Sequence, residues 1–132
     1  SRSEASRLCQ GNGDTNALMM ETDSELLMHE GVALAKETWV KMKNEMSWND
    51  DTPDWVLGHQ VGVAHQKIVF ESINVHNNKN HITYPFLGNT GSAALPLTLV
   101  DLAKSDKLKK GDLLALLGIG SGLSSIMMGV KW

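Results

Sequence analysis

Apolar residues recur at intervals of three and four along residues 28–46, which is the spacing of one face of an amphipathic helix. Six side chains form this stripe: Met28, Val32, Ala35, Trp39, Met42 and Met46. Just before it, Thr22 and Glu25 match a capping box, in which Thr22 caps a backbone N–H and Glu25 reaches back. The pattern predicts a long helix that begins at this box.

Short apolar runs separate the helical patterns and predict strands. Residues 55–57 and 113–117 are continuous apolar runs of the buried type, and residues 124–130 predict a last strand. Residues 81–84 are β-branched and aromatic and predict another strand. A short strand is also expected at residues 17–20.

Two further helices are predicted between these strands. The first has an apolar stripe that consists of Val61, Ala64, Ile68 and Ser72. The second runs from near Ser92 to Lys104, with Pro96 in its first turns. Alternation of strands and helices is typical of the α/β class, while residues 1–16 are predicted to be a loop or arm.

Composition is that of an ordinary soluble domain. The 132 residues are 42% hydrophobic with a net charge of −3, which favours no nucleic-acid partner. No apolar run approaches the roughly 20 residues that a membrane span needs, so a cytoplasmic location is expected. The single cysteine, Cys9, lies in a polar, turn-rich stretch without an activating neighbour and is expected to be an inert thiol.

Three apolar segments end at polar or glycine-rich positions. His59 follows residues 55–57, Asn89 follows residues 81–84, and Ser121 lies in the glycine-rich segment after residues 113–117. Open α/β sheets bind ligands beyond the carboxyl ends of their strands. An imidazole N–H and an amide N–H that converge on one carbonyl oxygen would suit enolate formation from a thioester. We therefore predict a site built from His59, Asn89 and backbone around Ser121.

Several other features have simpler explanations. The glycines at residues 118–122 cannot open a dinucleotide-binding unit, because too few residues follow them; they suit a strand reversal or a ligand site equally. Ser92 and Ser121 are not in a nucleophile elbow.

The histidines and lysines do not by themselves predict a site either. The five histidines lack zinc-site spacing, so no metal is expected. His29 and His65 are expected on helix surfaces, and His76 and His81 in solvated loops. A basic cluster is expected to be solvated and consists of Lys107, Lys109 and Lys110.

Three motifs together resemble the C-terminal half of thiolase-superfamily condensing enzymes of the β-ketoacyl synthase III type. They are His-Gln-Val-Gly at residues 59–62, Phe-Leu-Gly-Asn at residues 86–89 with Leu-Pro-Leu-Thr at residues 95–98, and Leu-Gly-Ile-Gly-Ser-Gly-Leu at residues 117–123. Within this group the chain looks most like the olefin-pathway enzymes that join two fatty acyl-CoAs head to head.

The resemblance implies a thiolase-like half-domain over residues 17–132, with a mixed, mostly five-stranded sheet and helices on both faces. It implies that His59 and Asn89 hold the thioester carbonyl and that backbone at Gly120, Ser121 and Gly122 forms an oxyanion hole. It places substrate against two glycines, Gly62 and Gly91. The nucleophilic cysteine would belong to an N-terminal half that is absent here, so the chain alone is not expected to condense substrates.

The expected partners follow from the same resemblance. They are acyl-CoA, the N-terminal half of the same enzyme and a second copy in a homodimer, with no cofactor beyond the coenzyme A thioester. Ketoacyl synthase III enzymes usually have asparagine where this chain has Gly62, which favours acyl-CoA over a malonyl carrier. Two functions stay open as alternatives: condensation of acyl-CoA with malonyl-acyl carrier protein, and a non-catalytic module that binds an acyl carrier or a partner. A generic α/β binding domain, in which His59 and Asn89 are unrelated, is a third possibility.

Overall fold

The computed structural model describes residues 23–120 and 122–132. Cys9, Thr22, Ser121, the predicted arm at residues 1–16 and the predicted strand at residues 17–20 lie outside the described residues.

The first helix, α1 (Ser24–Met46), begins where the capping pattern predicts, but its cap is different. The N-cap residue is Asp23 rather than Thr22, and Asp23 Oδ1 accepts the backbone N–H of Leu26 at 3.0 Å. A short carboxylate at this position satisfies a free amide and carries charge that favours a helix N-terminus. The predicted stripe is buried at Ala35, Trp39 and Met42.

Three strands form one mixed sheet: β1 (Trp55–Leu57), β2 (Leu113–Gly120) and β3 (Ser124–Lys131). Their order is β1-β2-β3, with β1 parallel to β2 and β2 antiparallel to β3. The mixed sheet is as predicted, but the described residues form three strands rather than five. The glycines at residues 118–120 continue β2 and lead directly into the hairpin with β3.

Three helices follow α1: α2 (Val63–Ser72), α3 (Tyr84–Leu87) and α4 (Ala94–Lys104). Two single turns of 3₁₀ helix lie at Asn77–Lys79 and Gly91–Ala93. Pro96 lies in the first turn of α4, as predicted.

The predicted strand at residues 81–84 is wrong, because Tyr84 begins α3 and residues 81–83 are irregular. Pro85 explains the difference. It has no N–H to give to a strand ladder, and its fixed φ suits the first turn of a helix.

The sheet is covered on both faces, as predicted. On the first face, α1 and α2 pack against the side of the sheet that carries Val56; the buried side chains there are Trp39, Met42, Val56, Phe70, Ile73, Val75, Ala115 and Leu117. On the second face, Leu102 of α4 packs against Leu57 and Leu114. Because Val56 and Leu57 point to opposite faces, the short strand β1 anchors both layers.

The apolar stripe predicted for the second helix is not the buried face of α2, so this prediction is wrong. Val61 is 46% exposed and Ile68 42% exposed, whereas Gln66 and Phe70 are buried. No helix in the described part of the chain has the length and apolar character that crossing a membrane requires.

Candidate active site

His59 lies between the end of β1 and the start of α2, where the backbone leaves the sheet. It is half-buried and lines two neighbouring spaces, a cavity of about 40 Å³ under α1 and α2 and an open cleft of about 850 Å³. Burial lowers the pKa of His59 below its ordinary value of 6.5. Its imidazole is therefore neutral near pH 7 and keeps one N–H for donation.

The cleft brings together three of the segments that the sequence predicts for the site. His59 forms one part of its wall, Gly91 and Ser92 at the turn before α4 form another, and residues 118–120 at the end of β2 form a third. This is the carboxyl-terminal end of the parallel pair β1 and β2, where α/β sheets place ligands. Gly91 and Gly120 thus both line the cleft beside His59.

Asn89 is exposed and does not line this cleft, although Gly91 does. Asn89 Oδ1 accepts the backbone N–H of Gly91 at 3.0 Å. This bond assigns the amide orientation and leaves Nδ2 as a free donor. The structure therefore does not bring the Asn89 side chain into the cleft that His59 lines.

The remaining predicted residues differ in position. Gly122 is exposed at the β2–β3 reversal with φ 76°, and Ser121 is outside the described residues. Gly62 does not line the cleft. Its φ of 165° is extended backbone, and a Cβ there would meet nothing within 4 Å. The backbone of this turn therefore does not require glycine at residue 62.

Gln60 is a structural residue that sequence reasoning missed. Its side chain is fully buried, Nε2 donates to Gly58 O at 3.0 Å, and Oε1 accepts the backbone N–H groups of Thr83 and Tyr84 at 2.9 and 3.3 Å. The amide thus joins the His59 turn to the start of α3. The position of a glutamine directly beside a candidate histidine was the sequence feature that could have indicated this structural role.

The same network continues into α4 through two buried threonines. Thr98 Oγ1 donates to Ala94 O at 2.8 Å, so it accepts from Thr83 Oγ1, which lies 2.7 Å away. Gln60, Thr83 and Thr98 therefore connect the three segments that carry His59, Asn89 and the first turn of α4.

His65 is the second residue that the sequence did not indicate. The prediction of a surface position is wrong, because His65 is half-buried and lines both the cavity and the cleft beside His59. Burial lowers its pKa, and the nearby charge of protonated His59 lowers it further. The site therefore contains two neighbouring imidazoles that are neutral near pH 7.

The other histidines are not part of the cleft. His29 and His76 are exposed, as predicted, but His81 is part-buried and lies 2.7 Å from Asp101, so its assignment to a solvated loop is wrong. Across residues 23–120 and 122–132, no three His, Cys, Asp or Glu side chains form a group that could hold a metal ion.

Comparisons with known proteins identify the family of this chain. A family model described as 3-oxoacyl-[acyl-carrier-protein (ACP)] synthase III C terminal matches residues 44–132. The acyl-CoA:acyl-CoA alkyltransferase of Shewanella oneidensis is 41% identical over 113 residues, which cover 86% of this chain and 32% of that protein. The enzyme of the same name from Xanthomonas campestris is 39% identical over 132 residues, which cover 100% of this chain and 38% of that protein.

A solved structure extends the comparison to the fold. A cysteine-to-serine variant of OleA from Xanthomonas campestris, with bound lauric acid and lauroyl-CoA, superposes with a TM-score of 0.86 at 38% identity. The match covers 98% of this chain and 37% of that one, so the chain spans little more than a third of the length of this relative. Our chain therefore has the thiolase-like α/β fold that the resemblance implies. The chain belongs to the 3-oxoacyl-[acyl-carrier-protein] synthase III C-terminal family.

Proposed function

We propose that this chain supplies the His59 and Asn89 side of an active site that condenses two acyl-CoA thioesters to a β-keto product. The observation that carries the proposal is the similarity, at 41% and 39% identity, to two acyl-CoA:acyl-CoA alkyltransferases. The cleft at His59, with Gly91 and Gly120 in its wall, supplies the place where a thioester would bind.

The chemistry is a Claisen condensation through an acyl-cysteine. One acyl group is first transferred to a cysteine of the N-terminal half, with release of coenzyme A. The second thioester loses an α-proton to a base, and its carbonyl oxygen gains negative charge as the enolate forms. N–H groups of His59 and Asn89 stabilise that oxygen.

The second half of the reaction forms the new carbon–carbon bond. The enolate carbon attacks the acyl-cysteine carbonyl, and the tetrahedral oxyanion is stabilised by backbone N–H groups near Gly120 and Ser121. The carbon–sulfur bond then breaks and the cysteine leaves as thiolate. His59 is neutral because its pKa is lowered. Its ring N–H can therefore donate to the carbonyl oxygen of the second thioester as the enolate forms.

An N-terminal half and a second copy are the proposed protein partners. Large apolar side chains are exposed outside the two cores, and the most exposed are Val63 at 68%, Phe86 at 63%, Ile126 at 71% and Met128 at 53%. Ile126 and Met128 lie on the same exposed face of β3, and an exposed apolar face is typical of an interface. This exposed face supports the proposal that further polypeptide covers the chain in the active protein.

We further propose that the active protein acts in the cytoplasm, in fatty acid biosynthesis and lipid metabolism. It would need no cofactor.

Two alternatives differ in substrate or in turnover. The family description names a synthase that acts with acyl carrier protein, which favours condensation of acyl-CoA with malonyl-acyl carrier protein. Gly62, where such enzymes usually have asparagine, argues against it. A non-catalytic module that binds an acyl carrier is the second alternative, and a cleft that binds the carrier without condensation would fit it.

The test uses the complete protein that joins this chain to its N-terminal half. Lauroyl-CoA alone, and lauroyl-CoA with malonyl-acyl carrier protein, are supplied in parallel, and products are identified by mass spectrometry. The proposal predicts a β-keto product from lauroyl-CoA alone. Product only with the malonyl carrier would favour the first alternative, and no product with either would favour the non-catalytic module.

A further inference from the structure

The two ring nitrogens of His65 have different surroundings. Nδ1 is buried and has no hydrogen-bond partner among the described residues. Nε2 is not buried without a partner in this way. The residue lines both the cavity under α2 and the open cleft. The ring thus stands between the two spaces.

The position of the proton follows from this asymmetry. A neutral imidazole carries one N–H, and a buried N–H without a partner costs free energy that a donor facing an accessible space does not. The favoured tautomer therefore has its proton on Nε2. The lowered pKa of His65 keeps the ring neutral near pH 7.

The surroundings make this donor unusual. Among the described residues that line the cleft, His59 and His65 are the titratable side chains, and the rest are glycines, serines and apolar residues. Among the described residues none accepts a hydrogen bond from His65, so its Nε2–H can serve an acceptor oxygen that a ligand brings.

We propose that His65 is a further substrate-binding residue, whose Nε2–H donates a hydrogen bond to an oxygen of the acyl thioester beside His59. This inference rests on the proposed function, because the acceptor is the thioester or the β-keto carbonyl of its product. A thioester has a single carbonyl oxygen, so His65 and His59 would donate to the same atom.

The first test measures binding to the complete protein of a non-reactive analogue of lauroyl-CoA that keeps the acyl carbonyl and has a methylene group in place of the thioester sulfur. His65→Leu removes the donor and is expected to weaken binding about three- to tenfold, the usual effect of one neutral hydrogen bond. His65→Gln keeps an N–H near the Nε2 position and is expected to bind within about twofold of the parent protein. Equal binding by the Leu variant, or equal loss in both variants, would overturn the proposal.

The second test needs no variant and covers the case in which the Leu variant does not fold. Histidine-labelled protein is studied by ¹H–¹⁵N NMR to locate the ring proton of His65 without and with the analogue. The proposal predicts a proton on Nε2 and a shift of the Nε2 resonance on binding. A proton on Nδ1, or an unchanged Nε2 resonance in the saturated complex, would overturn it.

These readouts separate this inference from the proposed reaction. If the complete protein binds the analogue through His65 but forms no product from lauroyl-CoA, the proposed function fails and the inference stands. If product forms at parent rates and affinities in His65→Leu, the proposed function stands and the inference fails.

Discussion

Gln60 Oε1 accepts the backbone N–H of Thr83 at 2.9 Å, and this buried bond joins the turn that carries His59 to the segment that leads to Asn89. The same oxygen also accepts the N–H of Tyr84, and Nε2 donates to Gly58 O. One fully buried amide therefore satisfies three backbone groups on two segments. The relative position of the two candidate oxyanion donors depends on it.

Replacement of Gln60 by leucine is expected to destabilise the fold by about 1–3 kcal/mol, because buried backbone groups lose their partners. The measurement is the free energy of unfolding from urea titration. Gln66→Leu is the matched control, since Gln66 is also buried but its Nε2 has no partner and its Oε1 accepts from the Asn80 side chain alone. A larger loss in the control than in Gln60→Leu would contradict this role.

Gly129→Ala is expected to destabilise the fold by about 1–3 kcal/mol through overpacking. A Cβ at Gly129 would lie 2.7 Å from the Trp48 ring and 2.8 Å from Met46 Cε. The Met46 end can move, but the indole ring must shift as a unit. Gly62→Ala is the control, because nothing lies within 4 Å of its Cβ, and thermal unfolding of both variants distinguishes them. Similar melting temperatures for both would contradict the prediction.

Gly62→Asn is expected to leave stability within about 0.5 kcal/mol of the parent protein, because the extended backbone accepts any side chain and the space is open. If Gly62 favours acyl-CoA over a malonyl carrier, the variant should raise turnover of malonyl-acyl carrier protein relative to lauroyl-CoA. Product ratios in the complete protein measure this preference. An unchanged ratio in a folded variant would remove Gly62 from the account of specificity.

Stability is expected to decrease as the pH falls through the range just below 6.5. His59 and His65 have pKa values below the ordinary 6.5, so the unfolded chain binds protons at a pH where the folded chain does not. The free energy of unfolding therefore falls with pH between 6.5 and the lower folded-state values, and these groups add no slope well above 6.5. Urea titrations across this range should show a smaller slope for His65→Gln than for the parent chain.

The hairpin and the first helix could be predicted because local pattern and tertiary environment agree there. The apolar run at residues 113–117 followed by glycines forms β2 and the reversal, and the stripe through Trp39 is the buried face of α1. Residues 81–84 have strand propensity, but Pro85 starts a helical turn at Tyr84. Strand propensity is a property of single residues and does not include the effect of a neighbour. Here Pro85 fixes the backbone in a helical conformation.

The site was predicted in part for a related reason. Strand ends indicated where His59 and Gly120 lie, because topology brings such ends together. Gln60 and His65 were missed, because their roles depend on partners distant in sequence. On α2 two faces carry apolar side chains, and which of them meets the sheet depends on the position of Phe70 and Gln66 rather than on spacing.

The most direct test of the central claim separates the two half-reactions in the complete protein. His59→Ala and Asn89→Ala are each compared with the parent protein for acylation of the cysteine, followed by mass spectrometry, and for condensation under single turnover. The loss of an oxyanion donor predicts condensation at least about 10²-fold slower, with acylation affected much less. Equal losses in both half-reactions, or full condensation in either variant, would contradict the assignment of His59 and Asn89 to the thioester oxygen.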